Sequence, residues 1–361
     1  MPGTLIFLGA GATKAAGGPL TKEILPNINR GNSSPTPPSD PQGRLTMLRS
    51  FLADLFHVDL QSSEDLYPGL PLVMSLLDTA LDRRQSFHPN WDSLAVSQLR
   101  EAIELGIFDL LEESLYSAQT NSHLRLLQAI YGDSSTAEPA IVSTNYDLLI
   151  DTALMAFSQR RFPDGRFPDY GCAIRTGFYR DEHPHFGSLL KLHGSLNWLY
   201  CKTCHRLEIG ASESKKYIKV LDELVGPSLK KSYTPDGSLC LTCNTKLRPL
   251  LVTPTHFKDY RNPHLTQVWY EAERFLRDAT KVVFIGYSLP EDDVEVIYLL
   301  KRSLANLTAD RITVVESDPV ALTPLEQHPV GRRYRALFGD KLDWHPEGMD
   351  DWLCRAGGIG R

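Results

Sequence analysis

An α/β fold built on a doubly wound parallel sheet, with an inserted helical module and a small zinc ribbon, is the class this sequence predicts. Three observations predict it. Short apolar runs at Thr4–Leu8, from Ala140, from Leu189, from Lys281 and from Arg311 alternate with stretches of helical periodicity, the pattern of parallel strands covered by helices. The polar and glycine-rich residues of interest come directly after those runs. Two Cys-x-x-Cys pairs fall close together after the third run, a spacing that suits a tetrahedral metal.

Thr4–Leu8 reads as the first strand and runs into Gly9-Ala10-Gly11-Ala-Thr13-Lys14. A strand, a Gly-x-Gly turn and a small-residue helix start bring backbone N–H groups up to a phosphate in α/β proteins. Glycine is needed where the chain turns tightly or approaches a ligand without a Cβ. The dinucleotide fingerprint is incomplete, because Lys14 stands at the third glycine position. The competing reading is a turn that only packs a helix on a strand. Residues 29–43 hold Asn-Ser-Ser-Pro-Thr-Pro-Pro-Ser-Asp-Pro, which cannot be helix and reads as a loop. From Arg44 to about Ile130 the pattern is helical, with stripes at Leu45, Leu48, Phe51, Leu52 and Leu55 and at Leu99, Ile103, Ile107 and Leu111. These stripes read as core, and the segment as a module inserted after the first βα unit.

The second strand, Ala140-Ile-Val-Ser143, leads to Asn145 and Asp147, whose alternate spacing puts both side chains on one side of an extended chain. Asp147 is equally suited to cap a helix over 148–157. The third, Leu189-Leu-Lys-Leu, delivers His193 to a turn through Gly194. An imidazole there can act as a base near neutral pH, or can simply pair with backbone in a buried turn. Leu247–Thr255 reads as a return strand, and 265–279 as a helix burying Trp269, Ala272, Phe275 and Leu276. The run from Lys281 ends at Gly286-Tyr-Ser288; Asp292, Asp293 and Glu295 then open a helix, suiting its positive end. The run from Arg311 ends at Glu316, and the tail adds one more element at most. The sheet is thus Rossmann-like, with its ligand expected beyond the strand carboxyl ends.

Cys201, Cys204, Cys240 and Cys243 can give four thiolates to structural Zn2+. The gap between the pairs is longer than in a minimal ribbon and carries Lys215-Lys216 and Lys230-Lys231. His205 reads as a bystander, and Cys172 and Cys354 are given no role. The expected domains are 1–28, 136–200 and 247–361 for the nucleotide core, 44–135 for the helical module and 201–246 for the zinc ribbon.

The chain has 361 residues, 42% hydrophobic and 23% charged, with net charge −6. That balance gives no basic field for nucleic acid or anionic membrane, and no apolar run approaches a membrane span. Without a basic leader, and with cysteines paired for metal, the reading places the protein in the cytoplasm.

Taken as an ordered set, Gly9-Ala-Gly-Ala-Thr13 with Gly18-Pro19, Ser143-Thr-Asn-Tyr-Asp147, Lys191-Leu-His-Gly194, Gly286-Tyr-Ser-Leu-Pro290 and the cysteine pairs after the His-Gly turn resemble the sirtuin superfamily. The resemblance is nearer to its bacterial sirtuin-like branch than to the protein deacetylases. It implies an NAD+ site in which Gly9, Ala10, Gly11 and Thr13 hold the diphosphate and Asn145 and Asp147 face the nicotinamide ribose and carboxamide. It further implies that His193 is the base, and that Gly286, Ser288 and Glu316 hold the adenosine half. The chain departs from the deacetylases after Pro19, where Leu20-Thr-Lys22 stands, and after Thr253, where Pro254-Thr-His-Phe-Lys258 replaces a Phe-Gly-Glu edge. The resemblance therefore implies NAD+ hydrolysis to nicotinamide and ADP-ribose, tied in that branch to defence against phage. With it come an expected homo-oligomer and a possible partner ATPase or other defence subunit. The alternatives are NAD-dependent protein deacylation and a non-catalytic NAD or ADP-ribose sensing module.

Overall fold

The computed structural model describes residues 3–14, 16–31, 43–116, 122–132, 138–163, 166–174, 184–209, 239–255, 260–317 and 322–355. The two lysine pairs between the cysteine knuckles and most of the 29–43 loop lie outside them.

The chain divides into two compact units. The first comprises Met1–Ala16, Gln119–Leu251 and Tyr260–Arg361. It is organised on six parallel strands: β1 (Thr4–Leu8), β2 (Ala140–Ser143), β3 (Ser188–Lys191), β7 (Lys281–Ile285), β8 (Ile312–Val315) and β9 (Asp343–His345). Their order is β3-β2-β1-β7-β8-β9, so the chain works outward from β1 to one side and then returns to the other. The strand order therefore reverses between β1 and β7, the position at which doubly wound sheets take their ligands. The central strands are buried beyond the first residue of β1 and β7, which is why they read as apolar runs instead of alternating ones.

Register makes the site edge. Leu8 pairs with Ser143 and Ile285, Ser143 with Lys191, Ile285 with Val315, and Val315 with His345. One row thus crosses the whole sheet, and Gly9, Thr144, Leu192, Gly286 and Glu316 all leave it on the same side. Helices α6 (Ser122–Tyr131), α7 (Leu149–Gln159), α8 (Pro263–Asp278), α9 (Val294–Ser303), α10 (Pro329–Phe338) and α11 (Met349–Arg355) belong to this unit, as does the five-residue α1 (Ala10–Lys14). The tail therefore holds a strand and two helices where one element at most was expected. Its helix α10, Pro-Val-Gly-Arg-Arg-Tyr-Arg-Ala-Leu-Phe, buries only Val330, Gly331 and Tyr334, and so few apolar positions give a weak periodic signal.

After β3 the chain leaves the large sheet through Leu192 and His193 and enters a small antiparallel sheet, order β5-β4-β6. Its strands are β4 (Gly194–Tyr200), β5 (Leu207–Ile209) and β6 (Arg248–Leu251). The return strand is thus shorter than the expected 247–255.

The second unit, Gly17–Ala118 with Val252–Asp259, is helical among its described residues: α2 (Thr21–Arg30), α3 (Arg44–Phe56), α4 (Leu70–Arg83) and α5 (Ser93–Tyr116). The stripes read from sequence are its core, with Leu48, Phe51, Leu52, Leu99, Ile103 and Ile107 buried. Helices α2 and α5 approach closely at Gly106, where a Cβ would lie 2.8 Å from Ile28. No described helix is long and apolar enough to cross a membrane.

Candidate active site

The turns after β1 and β7 are packed against each other at the switch point. Gly9 N–H donates to Ile285 O at 3.0 Å and Gly11 N–H to Gly286 O at 2.8 Å. A Cβ on Gly9 would stand 2.5 Å from Tyr287 Cα, and one on Gly11 2.7 Å from Gly286 Cα. Gly286 has φ +60°, and its Cβ would meet Ala12 N at 2.2 Å. Close approach of two backbones thus requires all three glycines, before any ligand is considered.

The second turn is locked onto the first. Asn145 Nδ2 donates to Gly9 O at 2.9 Å and to Thr13 Oγ1 at 3.0 Å. Thr13 Oγ1 donates to Asp147 Oδ2 at 2.7 Å, and Asp147 Oδ1 accepts Leu149 N–H at 3.0 Å at the start of α7. All three side chains are buried. The alternate spacing of Asn145 and Asp147 therefore does bring them to one place, where Asp147 spends both oxygens on holding the loop and the helix start.

Beneath this loop lies Lys191, fully buried at the end of β3. Its ammonium donates to Asp147 O at 2.6 Å, Ser195 Oγ at 2.8 Å and Asp151 Oδ2 at 3.0 Å. Tyr170 OH donates to the other Asp151 oxygen at 2.6 Å. A buried charge needs such pairing, and this one ties the Asn145 loop to the residues on either side of His193. Lys191 enters the sequence reading only as part of the Lys191-Leu-His-Gly194 run, with no role, and Asp151 not at all, since a lysine in an apolar strand gives no hint of its partner.

His193 sits between the two sheets and is almost wholly buried, with 6% of its surface exposed. The turn behind it needs glycine: Gly194 has φ +79°, and a Cβ would lie 2.0 Å from Leu250 O. Leu192 N–H donates to Ser143 O, and Leu192 O accepts Trp269 Nε1–H at 2.9 Å, so both sides of the turn are pinned. This rim contact leaves Trp269 half-buried; the buried face of α8 is Leu265, Val268, Ala272 and Leu276, and Phe275 is likewise only half-buried. Tyr146 and Tyr260 flank the imidazole with ring centroids at 6.3 and 6.2 Å.

Asp293, read from sequence only as a helix-opening acid, is buried with Oδ1 3.9 Å from His193 Nε2. Its Oδ2 accepts Tyr287 OH at 2.9 Å. Burial pushes the Tyr287 phenol well above its ordinary pKa, so it remains a donor. The run Gly286-Tyr287 to Asp293 to His193 links the glycine turns with the imidazole.

At the far side of the edge, Ser288 is exposed and its carbonyl accepts Arg333 Nε–H at 2.9 Å. Glu316 comes directly after β8; burial raises its carboxyl above the usual range, opposed by Ser317 N–H and by Arg333. The structure thus brings Gly9, Ala10, Gly11, Thr13, Asn145, Asp147, His193, Gly286, Ser288 and Glu316 to one edge. The direct side-chain network joins Thr13, Asn145 and Asp147.

The four cysteines also converge. Their Sγ atoms all lie within 4.8 Å of one another, with Cys201–Cys243 at 3.4 Å and Cys204–Cys240 at 3.5 Å. Tetrahedral thiolates about 2.3 Å from Zn2+ stand about 3.8 Å apart, so the donor set fits the ion. The two knuckles repeat one geometry. Cys201 N–H donates to Arg206 O and Cys240 N–H to Thr245 O, while His205 and Asn244 both adopt left-handed φ, +59° and +57°. Four sulfurs fill the shell and make the site structural, with His205 turned instead to Tyr200 OH at 2.6 Å.

A Rossmann-like α/β unit with a four-cysteine zinc ribbon, its strand ends bearing an asparagine loop and a buried histidine, defines a recognisable class of protein. A family model described as a SIR2-like domain matches residues 139–334, more than half of the chain. This chain belongs to that SIR2-like family, whose domain implies an NAD-using enzyme. No curated protein matches it in sequence.

Among solved structures it is similar to one described as the structural basis of sirtuin substrate affinity (16% identity, covering 98% of this chain and 92% of that one, TM-score 0.42). It is similar also to a Sir2–p53 peptide–NAD+ complex (15%, 98% and 90%, 0.41). A third is a Sir2-homologue mutant in complex with 2′-O-acetyl ADP ribose (13%, 99% and 92%, 0.46).

Proposed function

We propose that this chain is an NAD+ glycohydrolase that cleaves the nicotinamide–ribose bond to give nicotinamide and ADP-ribose. The observation that carries the reading is the convergence of Asn145, His193 and the paired glycine turns on one edge, at the reversal of strand order. As the glycosidic bond breaks, nicotinamide leaves with the bonding electrons and the ribose carbon gains oxocarbenium character. Water then adds, and its proton passes to His193, a step for which a positioned base is typically worth about 10²–10⁴-fold. Both N–H groups of the Asn145 amide are committed to Gly9 O and Thr13, which fixes the plane of the amide and leaves its oxygen to orient water or ribose. The turn that carries Gly9, Ala10 and Gly11 takes the diphosphate, Thr13 and Asp147 hold that loop in place through their mutual hydrogen bond, and Gly286, Ser288 and Glu316 take the adenosine half.

The edge of the small sheet favours hydrolysis over deacylation. Peptide capture by strand addition needs a free edge with continuous backbone donors. The edge strand β6 is four residues long and contains Pro249, which has no N–H. An NAD+-consuming enzyme of this kind suits an effector of bacterial antiphage defence that stays silent until triggered. The helical unit is then the surface for self-association or for a partner such as an ATPase.

The test is release of nicotinamide from NAD+ by the purified protein without any peptide. Release lost at least 100-fold in both Asn145→Ala and His193→Ala supports the hydrolase. Release that requires an acetylated peptide replaces it with a deacylase, and tight binding without release replaces it with a sensor.

A further inference from the structure

We propose that Asp293, held by Tyr287, is the positioning residue that stabilises the imidazolium of His193 when that ring takes up a proton. The proposal rests on the glycohydrolase reading and assigns a role in it to a residue that the reading leaves out.

The geometry has three parts. His193 and Asp293 are both nearly excluded from water, at 6% and 5% exposure. Asp293 Oδ1 faces Nε2 at 3.9 Å, beyond a hydrogen bond but within ion-pair reach, and catalytic contacts of unliganded enzymes commonly tighten in the complex. The other oxygen, Oδ2, is fixed by Tyr287 OH, so the carboxylate cannot turn away without losing a buried hydrogen bond.

Two further features favour the charged carboxylate. Donation from a phenol stabilises the anion, and Asp293 is the N-cap residue of the ten-residue helix α9, where the helix dipole favours negative charge. With Nε2–H aimed at this anion, the proton from water is taken up at the other ring nitrogen, and no atom is transferred to Asp293 itself.

Among the described residues, the other titratable groups near the ring are two phenols and two acids. Tyr146 lies next to Asn145, and Tyr260 precedes α8; both are phenols that contribute no charge near neutral pH. Asp292 and Glu295 reach Tyr260 electrostatically and lie on the same turn as Asp293, but both are only half-buried, so water screens them more. Among the described residues, Asp293 is the carboxylate that forms an ion pair with the ring, at 3.9 Å.

The test is Asp293→Asn, which keeps the size of the side chain and removes no capping hydrogen bond, since the Asp293 side chain makes none. The His193 ring is titrated by nitrogen NMR, with its signal assigned by loss in His193→Gln. Removing the carboxylate makes the imidazolium harder to form, so the ring pKa should fall by one unit or more. The acid limb of the kcat/KM profile should move to lower pH by the same amount. At pH 7 kcat should fall tenfold or more while the NAD+ dissociation constant stays within twofold, a split that a merely structural role would not produce. Tyr287→Phe should shift the ring pKa in the same direction by less.

A His193 pKa unchanged in Asp293→Asn overturns the pairing, even if cleavage is lost. A lowered pKa in a chain whose wild-type form cleaves no NAD+ supports the pairing and sinks the glycohydrolase reading instead.

Discussion

Lys191 takes no part in the proposed chemistry, yet it is the residue whose loss the site can least absorb. Its ammonium is fully enclosed and satisfies the Asp147 carbonyl, the Ser195 hydroxyl and the Asp151 carboxylate together. Replacing it with methionine keeps the volume but leaves Asp151 as a buried charge whose remaining hydrogen-bond partner among the described residues is Tyr170. Breaking one side of such a pair costs about 3–5 kcal/mol, whereas replacing both sides can be nearly neutral. Lys191→Met should therefore lose about that much stability in urea unfolding, and Asp151→Asn combined with Lys191→Met should recover part of it. A single variant within about 1 kcal/mol of wild type would mean that the pair does not clamp the loop. At this scale the sequence is uneven evidence. The spacing of Asn145 and Asp147 is visible in the chain and proves to matter, because both converge on Thr13. The partnership of His193 with Asp293 joins residues far apart in the chain, and a run of acids at a helix start looks the same whether or not one of them turns inward.

Among the elements, the glycine turns and the zinc knuckles were the plainest in the sequence, for different reasons. Gly-x-Gly after a strand announces a tight backbone approach but does not say to what, and the neighbour at Gly9 and Gly11 is the Gly286 turn. The Cys-x-x-Cys pairs specify their own partner, because four thiolates at this spacing suit one kind of ion. Their knuckles lie at the end of β4 and ahead of β6, and a core of Leu199, Cys201, Cys240 and Leu247 packs between them. That cluster is small, and the ion would tie the two knuckles together beside it. Zinc in comparable small modules contributes on the order of 10 kcal/mol. Chelation should release one zinc per chain and remove hydrogen-exchange protection from 194–209 and 239–251, while β1, β2, β7 and β8 stay protected. Because β4 begins at Gly194, beside His193, NAD+ cleavage should fall with the same time course as zinc loss. Retained protection in the metal-free protein would show that the small sheet stands on its own packing.

At the scale of the molecule, the parallel sheet was readable because its central strands are largely apolar runs that give way to glycine or polar residues, whereas the edge strand β9, Asp-Trp-His, carries no such run. What the pattern could not supply is which helices share a core. Helix α6 has the same periodicity as its predecessors but packs against α7 and α11, while α2 packs against α3, α4 and α5. Amphipathic stripes state that a face is buried and leave the partner open. Every residue assigned to NAD+ belongs to the α/β unit, and this carries a thermodynamic consequence. A ligand that binds only the folded unit stabilises it by about 2.7 kcal/mol at one hundred times its dissociation constant. For a unit of this size that corresponds to a rise of roughly 5–10 °C in its unfolding transition. His193→Ala is the variant in which to look, since it should bind NAD+ without consuming it during the scan. ADP-ribose should give a comparable rise in the same variant, because the diphosphate and adenosine contacts carry the binding, and nicotinamide alone should give little. If neither dinucleotide nor ADP-ribose at millimolar concentration moves the transition of this folded variant, the strand-end loops do not form a nucleotide site, and the proposed reaction falls with it.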